Sequence, residues 1–149
     1  MVRRFQHRRE LAELVVQRAE FLSAEERALL VAVYGDGRTV KDVAALMGVE
    51  ARKLRRRVAR LTRRVVSDRF IFVVRHRESW PAARRRLATA CIVQGKSLRI
   101  AAAEVRTSLY NARKQMDAVG ALLDAIVQGG GRAGPGAGGG EGTGEGVKR

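Results

Sequence analysis

The sequence predicts an all-α fold: an N-terminal helix, two helix-turn-helix units in tandem and a disordered glycine-rich C-terminal tail. Three observations predict it. Apolar residues recur at helical rather than strand spacing from residue 1 to 128, and prolines occur only at Pro81 and Pro135. Capping residues and glycine turns punctuate that pattern at helix-length intervals. The second half then repeats the first at a fixed offset of 58 residues.

Within residues 1–21, Phe5, Leu11, Leu14, Val15 and Arg18 fall near one side of an amphipathic helix, and Leu22 continues that side. A first unit is expected over 22–74. Ser23 is its N-cap, with Glu26 three residues on completing a capping box. That helix ends at Gly35 in a Gly-Asp-Gly turn. Thr39 caps the next helix, VKDVAALM, which stops at Gly48. A longer basic helix follows, in which Leu54, Val58, Leu61 and Val65 form one apolar stripe. Val43, Met47 and Leu54 are expected to fill the space between these two helices, and Ala44 is small where they cross. The run Arg69–Val74 (RFIFVV) admits a short strand or a dimer seam, but at the end of a basic helix a buried connector or helical continuation is expected.

A second unit is expected over 79–128. Ser79 is a candidate cap, and Pro81 lies in the first helical turn, where proline is tolerated. At the 58-residue offset, Arg27 aligns with Arg85, Leu29 with Leu87, Ala32 with Ala90, Gly37 with Gly95, Thr39 with Ser97 and Ala44 with Ala102. Val105 takes the place of Met47 and Ala112 that of Leu54, with Met116, Val119 and Leu123 extending the stripe. Ser108 replaces Glu50 and is the better N-cap. Arg106 replaces the turn glycine, so that turn must differ or accept strain. From residue 129 to 149, eleven of 21 residues are glycine, too little apolar surface to offset the entropy of ordering.

Charge narrows the function. The net charge is +15, and 25 of the 30 basic residues are arginine. Such an excess seeks a polyanion, nucleic acid ahead of an anionic membrane surface. No apolar run approaches the ~18 residues of a membrane span, and MVRRFQHRRE lacks the apolar stretch of a secretory signal. The lone Cys91 fits a reducing cytosol and reads as a small buried apolar residue. The expected location is therefore the cytoplasm, on the nucleoid. His7 and His76 have no spaced Cys, His or carboxylate partners, and no glycine loop precedes a lysine in strand-to-helix context. The chain is accordingly expected to be no enzyme, with no metal and no cofactor.

Eight basic residues and no acid lie between Arg52 and Arg64. At 100° per residue, an inward Leu54–Val58–Leu61 stripe puts Arg52, Arg56, Arg60 and Arg63 on the opposite face, flanked by Lys53, Arg55 and Arg64. Solvated helices usually interleave both signs, which this one does not. The segment LSAEERALLVAVYGDGRTVKDVAALMGVEARKLRRRVARL resembles region four of bacterial RNA polymerase sigma factors, the helical part that reads the −35 promoter element. The resemblance covers about a third of the chain. It implies a promoter-recognising regulator that docks a recognition helix in the major groove of double-stranded DNA, while contact with RNA polymerase itself is not fixed by the sequence. Glu50 departs from the Ser or Thr usual at the start of that helix, and residues 1–21 leave no room for a counterpart of region two.

The expected DNA contacts follow. Arg52, Lys53 and Arg56 reach base edges from the N-terminal part of the first recognition helix, with Arg60, Arg63 and Arg64 further along on phosphates, Arg55 flanking them and Thr39 at the preceding cap. In the second unit Ser108, Tyr110, Asn111, Arg113 and Lys114 stand at equivalent places. Arginine can grip guanine with two bonds, and asparagine can pair with adenine. Two other readings remain: a sequence-blind nucleoid or RNA-binding protein, and an adaptor whose apolar helical surfaces bind a polymerase subunit or form a dimer. Oligomeric state and target sequence are not fixed by the sequence.

Overall fold

The structure, a computed structural model, describes residues 2–130. Within them the chain forms eight α-helices and no strand. Helix α1 (Val2–Arg18) runs into a 3-10 turn, Ala19–Phe21. Helix α2 (Ala24–Leu30) widens into a π-helical turn, Val31–Gly35. Helices α3 (Val40–Met47) and α4 (Ala51–Val66) form the first helix-turn-helix. Helix α5 (Asp68–His76) follows at once and closes in a 3-10 turn, Arg77–Ser79. Helix α6 (Ala82–Ala88) widens into a second π-helical turn, Thr89–Val93, and α7 (Leu98–Val105) with α8 (Leu109–Gly130) forms the second helix-turn-helix.

The repeat extends to individual backbone hydrogen bonds. Arg38 N donates to Ala32 O at 3.0 Å, and 58 residues on Lys96 N donates to Ala90 O at 2.9 Å. Val49 N donates to Ala44 O at 3.0 Å, matched by Thr107 N to Ala102 O at 3.0 Å. The caps match as well: Thr39 Oγ1 accepts from Asp42 N (3.1 Å) and Ser97 Oγ from Ile100 N (3.2 Å). Each satisfies a helix-end donor that would otherwise lack a partner. Ser23 caps α2 by accepting from Glu26 N at 3.3 Å, the first half of the expected capping box; the Glu26 carboxylate meets the Ser23 hydroxyl and Arg64 rather than Ser23 N. Ser79, by contrast, is not the cap of α6. Pro81 holds that place, and the Ser79 hydroxyl donates to His76 O at 2.7 Å instead.

Both helix-turn-helix turns pass through a left-handed residue, Gly48 at φ 67° and Arg106 at φ 59°. The second turn therefore keeps the geometry and accepts the strain, since a Cβ in this region costs about 1–2 kcal/mol. Arg106→Gly is expected to raise stability by about 0.5–1 kcal/mol, the strain relieved being partly offset by the freer unfolded chain. A urea midpoint that stays put or falls would show that Arg106 is held by something other than the turn.

One large core joins both halves. Val15 and Ala19 of the N-terminal segment, Leu29 and Leu30 of α2, and the α4 stripe Leu54, Val58, Leu61 and Val65 are all buried there, together with Ala88, Val93 and Val119 from the second unit. Val43 and Leu54 fill the α3–α4 space as expected. Met47 does not; it lies 42 % exposed at the rim. A smaller cluster of Leu87, Ala90, Ala101, Ala102 and Ala112 lies within the second unit, whose alanines let the helices approach closely, and half-buried Cys91 packs against it. Burial pushes the Cys91 thiol up, away from a reactive thiolate.

The RFIFVV run is helical, not strand, and Phe70, Phe72 and Val73 are buried within the chain, out of reach of a dimer seam. Its continuous apolarity reflects burial on several sides, as α5 meets α4, the second π-helical turn and α8. Trp80 packs on Phe72 with ring centroids 5.6 Å apart. At the C-terminal end of α4, Arg18 donates from Nη1 to Val65 O at 3.0 Å, supplying a partner at the helix terminus. Burial first, and then Arg75, hold the Arg18 guanidinium below its usual pKa, with Asp68 opposing.

Two expectations about the ends change. Of the apolar side expected for α1, Val15 is buried, Leu14 and Leu22 are half-buried, but Phe5 is 68 % exposed and Leu11 41 %. The body of the protein covers only the C-terminal half of that helix. At the other end α8 continues through Gly129 to Gly130, because an already nucleated helix gains a hydrogen bond per added residue. The remainder of the expected tail, 131–149, lies outside the described residues. No helix among the described residues is long and apolar enough to cross a membrane.

Candidate nucleic-acid interface

Helix α4 is the most polarised element of the fold. Its inward stripe is 3–5 % exposed at Leu54, Val58 and Leu61 and fully buried at Val65. Fixing that side against α1, α2 and α3 turns Arg52, Lys53, Arg55, Arg56, Arg60 and Arg63 outward, and all six are exposed. Their spacing follows from the helical step: positions 52, 56, 60 and 63 sit one turn apart on the side opposite Leu54 and Val58.

Neutralisation comes from outside the helix and reaches only its flanks. Glu25 Oε1 accepts from Arg57 Nη1 at 3.0 Å, and Glu26 takes Arg64, which is only 23 % exposed. Glu50 stands 3.9 Å from Lys53 at the helix start, too long to count as a strong pair. No carboxylate of the described residues pairs with Arg52, Arg55, Arg56, Arg60 or Arg63. Five guanidinium groups thus remain unneutralised on one face of four turns.

Arg64 departs from expectation. Rather than joining the outward set it folds back against Glu26 of α2 and lies beside Gly95 of the second unit, with its Nε buried and unpartnered. Its helical position puts it at the edge of the buried stripe, where an acid on a neighbouring helix decides its direction. It is a seam residue. Thr39 is likewise committed, its hydroxyl holding the α3 cap.

The second recognition helix is built on the same frame with different side chains. Ser108 caps α8 by accepting from Asn111 N at 3.1 Å, whereas Glu50 makes no side-chain cap bond for α4. Tyr110 is 65 % exposed, and Lys114 Nζ sits 4.6 Å from its ring centroid, close enough for a cation–π contact. Asn111 and Arg113 are exposed beside them. One turn further the faces diverge. Ala118 and Ala121 stand where α4 has Arg60 and Arg63, and Asp117 stands at the place of Ala59. Basic character in α8 therefore ends at Lys114, a difference readable from the 58-residue alignment alone.

The histidines lie exposed and apart, and no three of His, Cys, Asp and Glu come together among the described residues. No family model, curated protein or solved structure matches the chain.

Proposed function

We propose that the protein is a non-enzymatic, sequence-reading DNA-binding regulator, similar in mode to sigma region four, that acts at promoters on the nucleoid together with RNA polymerase. The observation that carries this reading is the outward face of α4, where Arg52, Arg55, Arg56, Arg60 and Arg63 have no carboxylate opposite them. So much unneutralised charge on one rigid surface repels itself, and phosphates set along it would relieve that repulsion. In a docked recognition helix the N-terminal residues, here Arg52, Lys53 and Arg56, meet base edges, while Arg60 and Arg63 run along the backbone. The α8 face, with Tyr110, Asn111 and Lys114, offers fewer charges and more varied hydrogen bonding, which suits discrimination more than raw affinity.

Sequence-blind binding is favoured by one observation, the purely cationic character of the α4 face. Salt and competition separate the two readings. Contact with about eight phosphates, from these and other basic residues, gives a slope of log affinity against log salt near about −7. A regulator also retains a preference of at least ~10³ for selected sites over bulk duplex. Fragments selected from random duplex DNA supply those sites. Arg56→Ala and Asn111→Ala are each expected to cost about 1–3 kcal/mol on the selected site and little on bulk DNA. Arg63→Ala is expected to weaken all sequences alike and to flatten the salt slope by about 0.9. Equal losses on every sequence for all three variants would falsify specific readout and leave the sequence-blind reading.

A further inference from the structure

The two repeat units carry the same groove with opposite chemistry. In the first unit a groove of ≈ 420 Å³ opens between α2 and α3; in the second a groove of ≈ 430 Å³ opens between α6 and α7. Five of the eight positions lining the first groove recur in the second at the 58-residue offset. Ala28 corresponds to Arg86 and Leu46 to Glu104, and Lys96 reaches Glu104 across the second groove at 2.9 Å. The second unit thus shows that this backbone accepts charged, ion-paired residues here. In the first, Leu46 stays 71 % exposed and Met47 42 % exposed, which folding does not require. An exposed apolar groove that its own structural twin dispenses with marks a binding surface.

A matching ligand is present on the same chain. Residues Val2 to Leu11 of α1 are all exposed, including Val2 at 72 % and Phe5 at 68 %. Phe5 continues the side of α1 that carries half-buried Ala12 and Val16, at i, i+7 and i+11 spacing. The apolar stripe therefore runs past the edge of its own core. Because α1 is one unbroken helix fixed at Val15, its free part projects by roughly 14 Å and does not cover the groove of its own chain. Charge permits the match: Arg3, Arg4, Arg8 and Arg9 make the arm basic, and in a chain of net +15 residues 20–50 hold six acids against three bases, two of the six being already paired with Arg57 and Arg64 of α4. Asp42, one turn before Leu46, lies exposed beside the groove.

We infer that the protein self-associates by placing the arm of one copy, with Val2 and Phe5 as anchors, into the α2–α3 groove of a second copy, in a reciprocal two-fold exchange. It is a helix-in-groove contact made twice. Neither surface belongs to the outward face of α4, so the inference stands apart from DNA binding.

Sedimentation equilibrium of the full chain without DNA tests it. The unaltered protein is expected to show a concentration-dependent dimer. Phe5→Ser, or Leu46→Glu with the residue that the second unit itself carries, is expected to raise the dissociation constant more than ~10-fold, since each removes an apolar anchor from two contacts. Ala28→Arg provides a second groove variant that also copies the twin. A mixture of Phe5→Ser and Leu46→Glu chains is expected to associate more tightly than either alone, because one intact arm then meets one intact groove. Circular dichroism melts unchanged by these exposed substitutions confirm folding. A monomer at every concentration, or a dimer indifferent to both variants, overturns the inference. So does Phe5→Ser that leaves assembly intact but abolishes binding to phosphatidylglycerol vesicles, which makes the arm a membrane contact, or weakens DNA affinity, which makes it a DNA contact.

Discussion

Phe70→Ala is expected to lower the free energy of unfolding by about 3–5 kcal/mol, the cost of deleting a large aromatic from a packed core and leaving a cavity. Phe70 is fully buried, the largest side chain among the described residues to be so. Its helix, α5, is the piece that both halves share, packing on α4 on one side and on α8 and the Thr89–Val93 turn on the other. The second unit has few large residues in its private core, four of its five buried members there being alanine. It therefore depends on the common core for most of its apolar burial, and the loss at Phe70 is expected to reach both units. For a body of this size the melting temperature falls by about 10–20 °C. Helix content by circular dichroism and the fluorescence of Trp80, the one tryptophan, are expected to drop together in a single transition. Two separated transitions, with Trp80 changing in only one, would show that the halves fold as independent units and that the shared core is energetically minor.

Much of this fold is readable from the residues, because its information is local and repeated. The α4 stripe at Leu54, Val58, Leu61 and Val65 is unambiguous at helical spacing, and all four are buried. Ser23, Thr39, Ser97 and Ser108 act as caps because capping chemistry spans only three residues. What escaped was decided at longer range. Arg64 and Arg63 are indistinguishable by composition, yet one is drawn inward by Glu26, 38 residues away. Phe5 has the right phase for burial, but the body ends before reaching it. Met47 likewise has a core spacing and an exposed position, because the groove beside it stays open. Ser79 and Pro81 compete for one cap, and the register of the repeat, with Ser23 at the equivalent place to Pro81, settles it. Of the candidate interface, the outward direction of Arg52, Arg56, Arg60 and Arg63 follows from phase alone. The flanking pairs to Glu25 and Glu26 needed the packing of α2 on α4.

A paired substitution at the repeat's two matched glycines isolates the seam between the units. Gly37 and Gly95 occupy equivalent turns, and both sit at φ 69°. An alanine pays the same left-handed backbone penalty at either, about 1–2 kcal/mol. They differ only in what a Cβ meets. At Gly37 nothing lies within 4 Å, whereas at Gly95 it meets the Arg64 guanidinium, with Cζ 2.9 Å away. That group ends a long flexible side chain and can move, so no rigid wall opposes the methyl. Moving it, however, disturbs the pairing with Glu26 in a half-buried setting where Arg64 Nε already lacks a partner. Leaving such groups unsatisfied costs about 1–3 kcal/mol more. Gly95→Ala is therefore expected to lose about 2–5 kcal/mol in total, against about 1–2 for Gly37→Ala, both read from urea midpoints at constant slope. In an Arg64→Ala background the two glycine variants are expected to cost nearly the same, because the side chain that supplies the three nearest contacts at Gly95 is gone. Unequal costs in that background would place the seam's energy elsewhere, on the packing of α5 rather than on the arginine that joins α2, α4 and the second turn.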